Sequence, residues 1–218
     1  MTAHNLKRLL LDAVYPNRCP FCGEIIPYDE YFCAPCPEKL KFFGDGEAVE
    51  NVVRSFAAFE YDETAAPFIY ALKENGNGYA AAAAAKLIYD LLQDAPDVKI
   101  DLIACIPPSK SGLRKRGYNP PALIAAELSA LTGIPSDVKL LVKTRETETQ
   151  KELSSRERRE NLKGVFAAAK GKTVAGAVLL VDDVKTTGAT LGEAAGVLLS
   201  AGAKGVFTAA AAAVRLGR

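Results

Sequence analysis

The residues best placed to do chemistry lie in VLLVDDVKTTGAT, Val178 to Thr190, where an apolar run ends in Asp182 and Asp183 and passes into Thr186-Thr187-Gly188-Ala189-Thr190. A parallel strand delivers its C-terminal end to the sheet edge where ligands bind. Two carboxylates at that edge accept hydrogen bonds from a vicinal diol. Free backbone N–H groups at the start of a following helix, helped by the helix dipole, cradle an anion. Gly188 lets the main chain approach closely, and the hydroxyls of Thr186, Thr187 and Thr190 add donors. Together these groups describe a ribose carrying a 5′-phosphate. A plain strand–turn–helix with a capping threonine explains one threonine but not the paired acids.

A second constellation is CPFCG and FCAPC, in which Cys19, Cys22, Cys33 and Cys36 follow the pattern C-x2-C, ten residues, C-x2-C. Two such knuckles place four thiolates around one tetrahedral zinc ion, at about 2.3 Å per sulfur. A closed four-thiolate site has no open position for substrate, so this zinc folds the module and does not catalyse. Disulfides are disfavoured in a reducing compartment, and two redox C-x-x-C motifs in one small module would be redundant.

The elements that must position these groups can be read from periodicity. Leu6, Leu9, Leu10, Ala13 and Val14 recur at helical spacing, and Pro16 ends that helix. Gly44 and Gly46 mark a boundary, giving a zinc-binding module over 1–50 and a second domain over 51–218. Beyond it, VVRSFAAFEYD reads as a strand, FIYALKEN and AAAAAAKLIYDLLQ as helices, and DLIACIPP as a short buried strand. PALIAAELSALTG is a helix closed by Gly133, VLLVDD a buried strand, TLGEAAGVLLSAGAKG a helix, and VFTAAAAAV a final strand. Strands and helices in alternation, with continuously apolar strands, imply an α/β fold whose parallel sheet is covered on both faces. Gly76, Gly78 and Ala81 match a loose dinucleotide fingerprint, but the preceding segment reads as helix, so the motif lacks its context.

Length and charge narrow the classes. The chain has 218 residues, 49% hydrophobic and 24% charged, as expected of a globular protein. No apolar run approaches a membrane span of roughly 18 residues, and the N-terminus lacks a signal-peptide pattern, so a cytoplasmic location without membrane insertion is expected. Residues 1–50 carry 5 basic and 8 acidic side chains, while the remainder carry 22 and 18. Lys110, Arg114, Lys115 and Arg116 cluster with no acid between them, which suits phosphate or nucleic acid.

At these residues the chain resembles a known family. VLLVDDVKTTGAT is similar to the phosphoribosyl pyrophosphate (PRPP) signature of type I phosphoribosyltransferases. The four-cysteine module, Arg116-Gly117-Tyr118-Asn119, and the run Thr147, Gln150, Leu153, Arg158, Asn161 resemble the ComF family of competence-associated phosphoribosyltransferase-like proteins over essentially the whole chain. The resemblance implies a type I phosphoribosyltransferase fold behind a small N-terminal zinc-ribbon-like module. It implies that Asp182 and Asp183 hold the ribose hydroxyls, with Mg2+ bridging diol and pyrophosphate, and that Lys185 and Thr186 to Thr190 surround the 5′-phosphate. It makes Pro107-Pro108-Ser109-Lys110 the pyrophosphate loop, with Lys73 either approaching the same group or an ordinary solvated lysine. Lys143 to Gly164 resembles the hood that closes over PRPP, with Arg145, Lys151, Arg156 and Arg159 available to reach pyrophosphate, or else a surface helix. Two departures are Pro120-Pro121 after Asn119 and Lys185 inside the signature.

Two functions follow from the resemblance. One is Mg2+-dependent transfer of the 5-phosphoribosyl group from PRPP, with Asp182, Asp183, Lys110, Arg145 and Arg156 as catalytic residues and an unnamed acceptor. The other is a PRPP-sensing or single-stranded-DNA-binding competence protein, with Arg114, Lys115 and Arg116 on nucleic acid and a helicase-like partner. Cys105 is expected to be a buried core thiol.

Overall fold

The computed structural model describes residues 16–46, 48–74, 78–146 and 161–215. The expected helix over Leu6–Val14 lies outside them, as do Lys151, Arg156 and Arg159 of the expected hood. The N-terminal knuckles are tied by a bridge between Arg18 and Ile25 and by a 3-10 turn at Pro37–Lys39. The buried amide of Asn17 knits this module, its Nδ2 donating to the carbonyls of Pro27 at 2.9 Å and Glu30 at 2.7 Å.

The remaining elements run β1 (Phe42–Asp45), β2 (Arg54–Glu60), α1 (Ala66–Glu74), α2 (Gly78–Gln93), β3 (Leu102–Cys105), α3 (Lys110–Arg116) and α4 (Pro120–Thr132). They continue through β4 (Leu141–Lys143), β5 (Phe166–Ala168), β6 (Gly176–Lys185), α5 (Ala189–Ser200) and β7 (Ala203–Ala213). Five strands form one sheet in the order β1-β2-β7-β6-β3, parallel except for β1, which pairs antiparallel with β2. β4 and β5 form a separate antiparallel ribbon.

Alternation along β6 divides the core. Leu179 and Val181 pack with α1, α2, α4 and the zinc knuckles, whereas Val178 and Leu180 pack with α5 and the β4–β5 ribbon. The sheet is therefore covered on both faces, as its apolar strands imply. Three differences from the sequence reading have local causes. The helix read through Gly205 stops at Ser200, because Gly202 turns the chain at φ +107° and β7 starts at Ala203. The basic cluster after β3 is itself a helix, capped by the Ser109 hydroxyl, which accepts from the Gly112 N–H at 3.0 Å, and closed by Gly117 at φ +77°. β1 falls before the boundary read at residue 50, yet it adds an edge strand to the large sheet.

The zinc module does not stand apart. Phe21 stacks on Phe68 of α1 with centroids 4.7 Å apart and meets Phe59 of β2 edge-on at 5.7 Å. Phe59 and Phe68 complete the triangle at 5.2 Å. Rings in such geometry add about 0.5–1.5 kcal/mol per pair beyond the area they bury. The module and the sheet thus share one core.

Candidate functional site

β3 ends beside β6, while β6 runs on to Lys185. Cys105 pairs with Val181, and the Ile106 N–H reaches the Val181 carbonyl at 3.0 Å. Past that rung β6 continues alone on this side, and Asp182 and Asp183 occupy the freed edge. Their carboxylates fold back on their own strand: Asp182 Oδ1 accepts from the Asp183 N–H at 2.8 Å, and Asp183 Oδ1 from the Val184 N–H at 2.7 Å. Lys73, in the last turn of α1, sets its ammonium 3.2 Å from Asp183 Oδ2. The structure thus brings Lys73 to the acids. Burial, and after it the charge of Asp183, push the Asp182 carboxyl well above the usual carboxylate range, against the opposing pull of the Asp183 N–H and of Lys73. Burial and the Asp182 and Asp137 charges likewise raise the Cys105 thiol to about 12, leaving it an inert core thiol.

The threonine loop follows directly. Gly188 caps α5 at φ +77°, and its carbonyl accepts the Gly192 N–H at 2.8 Å. Thr186 is exposed and Thr187, Ala189 and Thr190 are half-buried, so their polar groups are reachable from solvent. A Cβ on Gly188 would lie 2.9 Å from Val49 Cγ2, so the chain entering β2 presses on the loop from one side. A cavity of about 490 Å3 opens there, lined by Val49, Glu50, Lys163, Thr187, Gly188 and Glu193 among others. Lys185 is 3% exposed, its ammonium 5.8 Å from the centre of the Phe43 ring and against Gly46.

Pro107, Pro108 and Ser109 leave β3 at the same sheet edge and start α3. The Lys110 N–H donates to Glu146 Oε1 at 2.8 Å, an anion on the expected pyrophosphate loop that no local pattern announces. Glu146 belongs to the foot of the expected hood. That foot is the β4–β5 ribbon, and Arg145 braces it by donating to the carbonyls of Asn161 at 2.9 Å and Lys163 at 3.0 Å. Arg156 lies outside the described residues.

The Arg116–Asn119 run also acquires a physical role. The Tyr118 hydroxyl donates to the Leu72 carbonyl at 3.1 Å, which holds the end of α1 where Lys73 reaches Asp183. Asn119 Nδ2 donates to the Ile106 carbonyl at 3.0 Å, tying the start of α4 to the end of β3. Arg114 and Lys115 face outward on α3, whereas Arg116 is half-buried.

In the N-terminal module the Sγ atoms of Cys19, Cys22, Cys33 and Cys36 all lie within 4.8 Å of one another, Cys22 and Cys33 at 3.6 Å. Tetrahedral zinc bonds of about 2.3 Å place sulfurs about 3.8 Å apart, so the set fits one ion. Burial opposes ionisation of Cys19, but backbone N–H donors of Cys33, Cys22 and Phe21 outweigh it and bring the thiol to about 7. Burial together with the neighbouring thiols pushes Cys36 far up. Four thiolates drawn this close need a cation, and a structural zinc supplies it.

Residues 10–48 match the double zinc ribbon domain. The chain is 29% identical to competence protein F of Haemophilus influenzae over 80% of this chain and 76% of that protein. To DNA utilization protein YhgH of Escherichia coli K12 it is 30% identical, over 86% of this chain and 80% of that one. Among solved structures, adenine phosphoribosyltransferase aligns with 82% of this chain and 98% of its own at 17% identity and a TM-score of 0.42. A Bacillus subtilis glutamine PRPP amidotransferase aligns with 65% of this chain and 30% of its own at 22% identity and a TM-score of 0.40. The 30% identity to YhgH over 86% of this chain and 80% of that one shows that the chain belongs to the ComF family, the group of competence protein F and YhgH.

Proposed function

We propose that this protein binds PRPP with Mg2+ at the C-terminal edge of its sheet and acts as a phosphoribosyltransferase in DNA uptake or utilization. The observation that carries the reading is the juxtaposition of three groups. Asp182 and Asp183 lie on β6 just past its pairing with β3, Lys73 pairs with Asp183 at 3.2 Å, and a threonine–glycine loop with reachable donors opens α5. The names of the two relatives, a competence protein and a DNA utilization protein, supply the biological setting.

In this reading the two carboxylates accept from the ribose 2- and 3-hydroxyls, and the amides and hydroxyls of Thr186 to Thr190 hold the 5′-phosphate. Two carboxylates facing one ammonium leave the site short of positive charge, which suits a ligand that arrives with a divalent cation. Mg2+ would be held between these groups and PRPP, and it would neutralise the pyrophosphate as it leaves. An acceptor lone pair forms the new bond to the anomeric carbon as the carbon–oxygen bond breaks, and pyrophosphate departs with that electron pair. The protein's own contribution is to position PRPP and meet the developing charge with Lys73, Lys110 and the β4–β5 foot.

Thermal unfolding of the zinc-loaded protein with and without PRPP and Mg2+ tests this. Ligand at about 100 times its dissociation constant stabilises by roughly 2.7 kcal/mol. That gain should be present in the native protein and lost in Asp182→Asn; no shift in the native protein would sink the reading.

The outward-facing Arg114 and Lys115 favour a second activity, single-stranded DNA binding. Each phosphate contact on a single strand contributes about 0.7 to the slope of log affinity against log salt. Arg114→Ala with Lys115→Ala should flatten that slope by roughly 1.4, and an unchanged slope would remove α3 from any DNA interface.

A further inference from the structure

Arg116 is set apart from the other cations of α3. Arg114 and Lys115 are exposed, but Arg116 is half-buried and its Nε is sealed from solvent with no hydrogen-bond partner. Among the described residues no acid pairs with its guanidinium. Long side chains on a helix lean back toward its N-terminus. Arg116 does so over one full turn: a Cβ built on Gly112 would lie 2.6 Å from Arg116 Nη2 and 2.8 Å from Ser109 Oγ. The guanidinium therefore lies over Gly112, on the same side of α3 as the Ser109 hydroxyl, in space that only glycine at 112 leaves open.

This placement is costly as it stands. A guanidinium gives up hydration on burial and recovers it only through an anionic or carbonyl partner. An arginine fork with unused donors, beside a polar turn, matches the paired oxygens of a phosphate group.

We propose that Arg116 is a ligand for the pyrophosphate group and sets the preference of this subsite for a diphosphate. This rests on the PRPP reading above and adds to it a residue whose sequence position, within a basic run, pointed equally to nucleic acid. Gly112 is then a specificity position, kept free of a side chain so that the guanidinium can reach the turn.

The test uses the full-length, zinc-loaded protein and two separate probes, inorganic pyrophosphate with Mg2+ and ribose 5-phosphate, each titrated by calorimetry. Arg116→Ala should weaken pyrophosphate at least tenfold and leave ribose 5-phosphate within twofold. Gly112→Ala keeps every charge and raises helix propensity, yet should weaken pyrophosphate comparably by displacing the guanidinium. It decides the matter if Arg116→Ala fails to fold. Pyrophosphate affinity unchanged in Gly112→Ala and in any folded Arg116→Ala protein would overturn the assignment, and so would an equal loss for both probes, which would mark a structural role. Native protein that binds neither probe would instead overturn the PRPP reading, and Arg116 with it.

Discussion

Asp182 and Asp183 stand side by side on β6, with the Lys73 ammonium 3.2 Å from Asp183. Adjacent carboxylates at the end of a buried strand repel, and each has recruited a backbone N–H while Lys73 neutralises one. The unrelieved part of that repulsion falls on Asp182, whose carboxyl resists ionisation. Asp182→Asn should therefore raise the stability of the ligand-free protein, by about 1 kcal/mol or roughly 2–4 °C, even as it abolishes the PRPP-dependent gain. A melting scan of the two proteins without ligand checks this, and a lower midpoint in the variant would show that the carboxylate is satisfied in the native site. Tyr118 belongs to the same scale, because its hydroxyl fixes the Leu72 carbonyl and so the lysine beside it.

At the scale of elements, α5 is built to be approached. Gly188, Gly192 and Gly196 recur at i, i+4 and i+8, so they stack on one face, and Val49, Glu50 and Asn51 lie against that face in turn. Asn51 adopts φ +63° there and its Nδ2 reaches the Gly192 carbonyl at 3.3 Å. The two helical glycines predict opposite outcomes. A Cβ at Gly192 would come 3.0 Å from the Glu50 carbonyl oxygen, a backbone atom that cannot yield without moving the linker. At Gly196 it would come 3.0 Å from Asn51 Nδ2, the tip of a side chain. Glycine to alanine inside a helix gains up to about 1 kcal/mol. Gly196→Ala should realise that gain in a denaturant titration, while Gly192→Ala should lose stability despite the same propensity change. Equal effects would mean the linker does not pack on α5 in solution.

Across the whole molecule, the zinc module and the sheet share one core and should unfold as one cooperative unit. Cys19, Phe21, Ile26, Cys36 and Leu40 bury into the same core as Phe59, Phe68 and Leu72. Removing zinc with a chelator should therefore lower the melting temperature of the entire protein in one transition, and two separated transitions would contradict the shared core. Phe21→Ala removes the ring that joins the halves and should cost about 3 kcal/mol, near the low end for buried phenylalanine because Phe21 is 9% exposed. No helix among the described residues is long and apolar enough to cross a membrane.

By itself the sequence determined whatever rests on neighbours along the chain. The C-x2-C spacing, the acids of VLLVDD, the glycine after the threonines and the Gly133 helix stop are all local patterns; the two glycines cap α5 and α4, while β6 runs two residues past the acids to Lys185. The apolar strands of the sheet were legible for the same reason, since continuous runs mean burial on both sides. Helix α2 carries six consecutive buried alanines, so no apolar stripe announced which way it faces. Tertiary structure alone decided the pairings between distant segments. The edge strand β1, the triangle of Phe21, Phe59 and Phe68, and the Tyr118 anchor each join residues whose mutual fit no local pattern encodes. Arg116 is the sharpest case. In the sequence it is one cation of a basic run, and only the packing of α3, with a bare glycine one turn earlier, separates it from its neighbours.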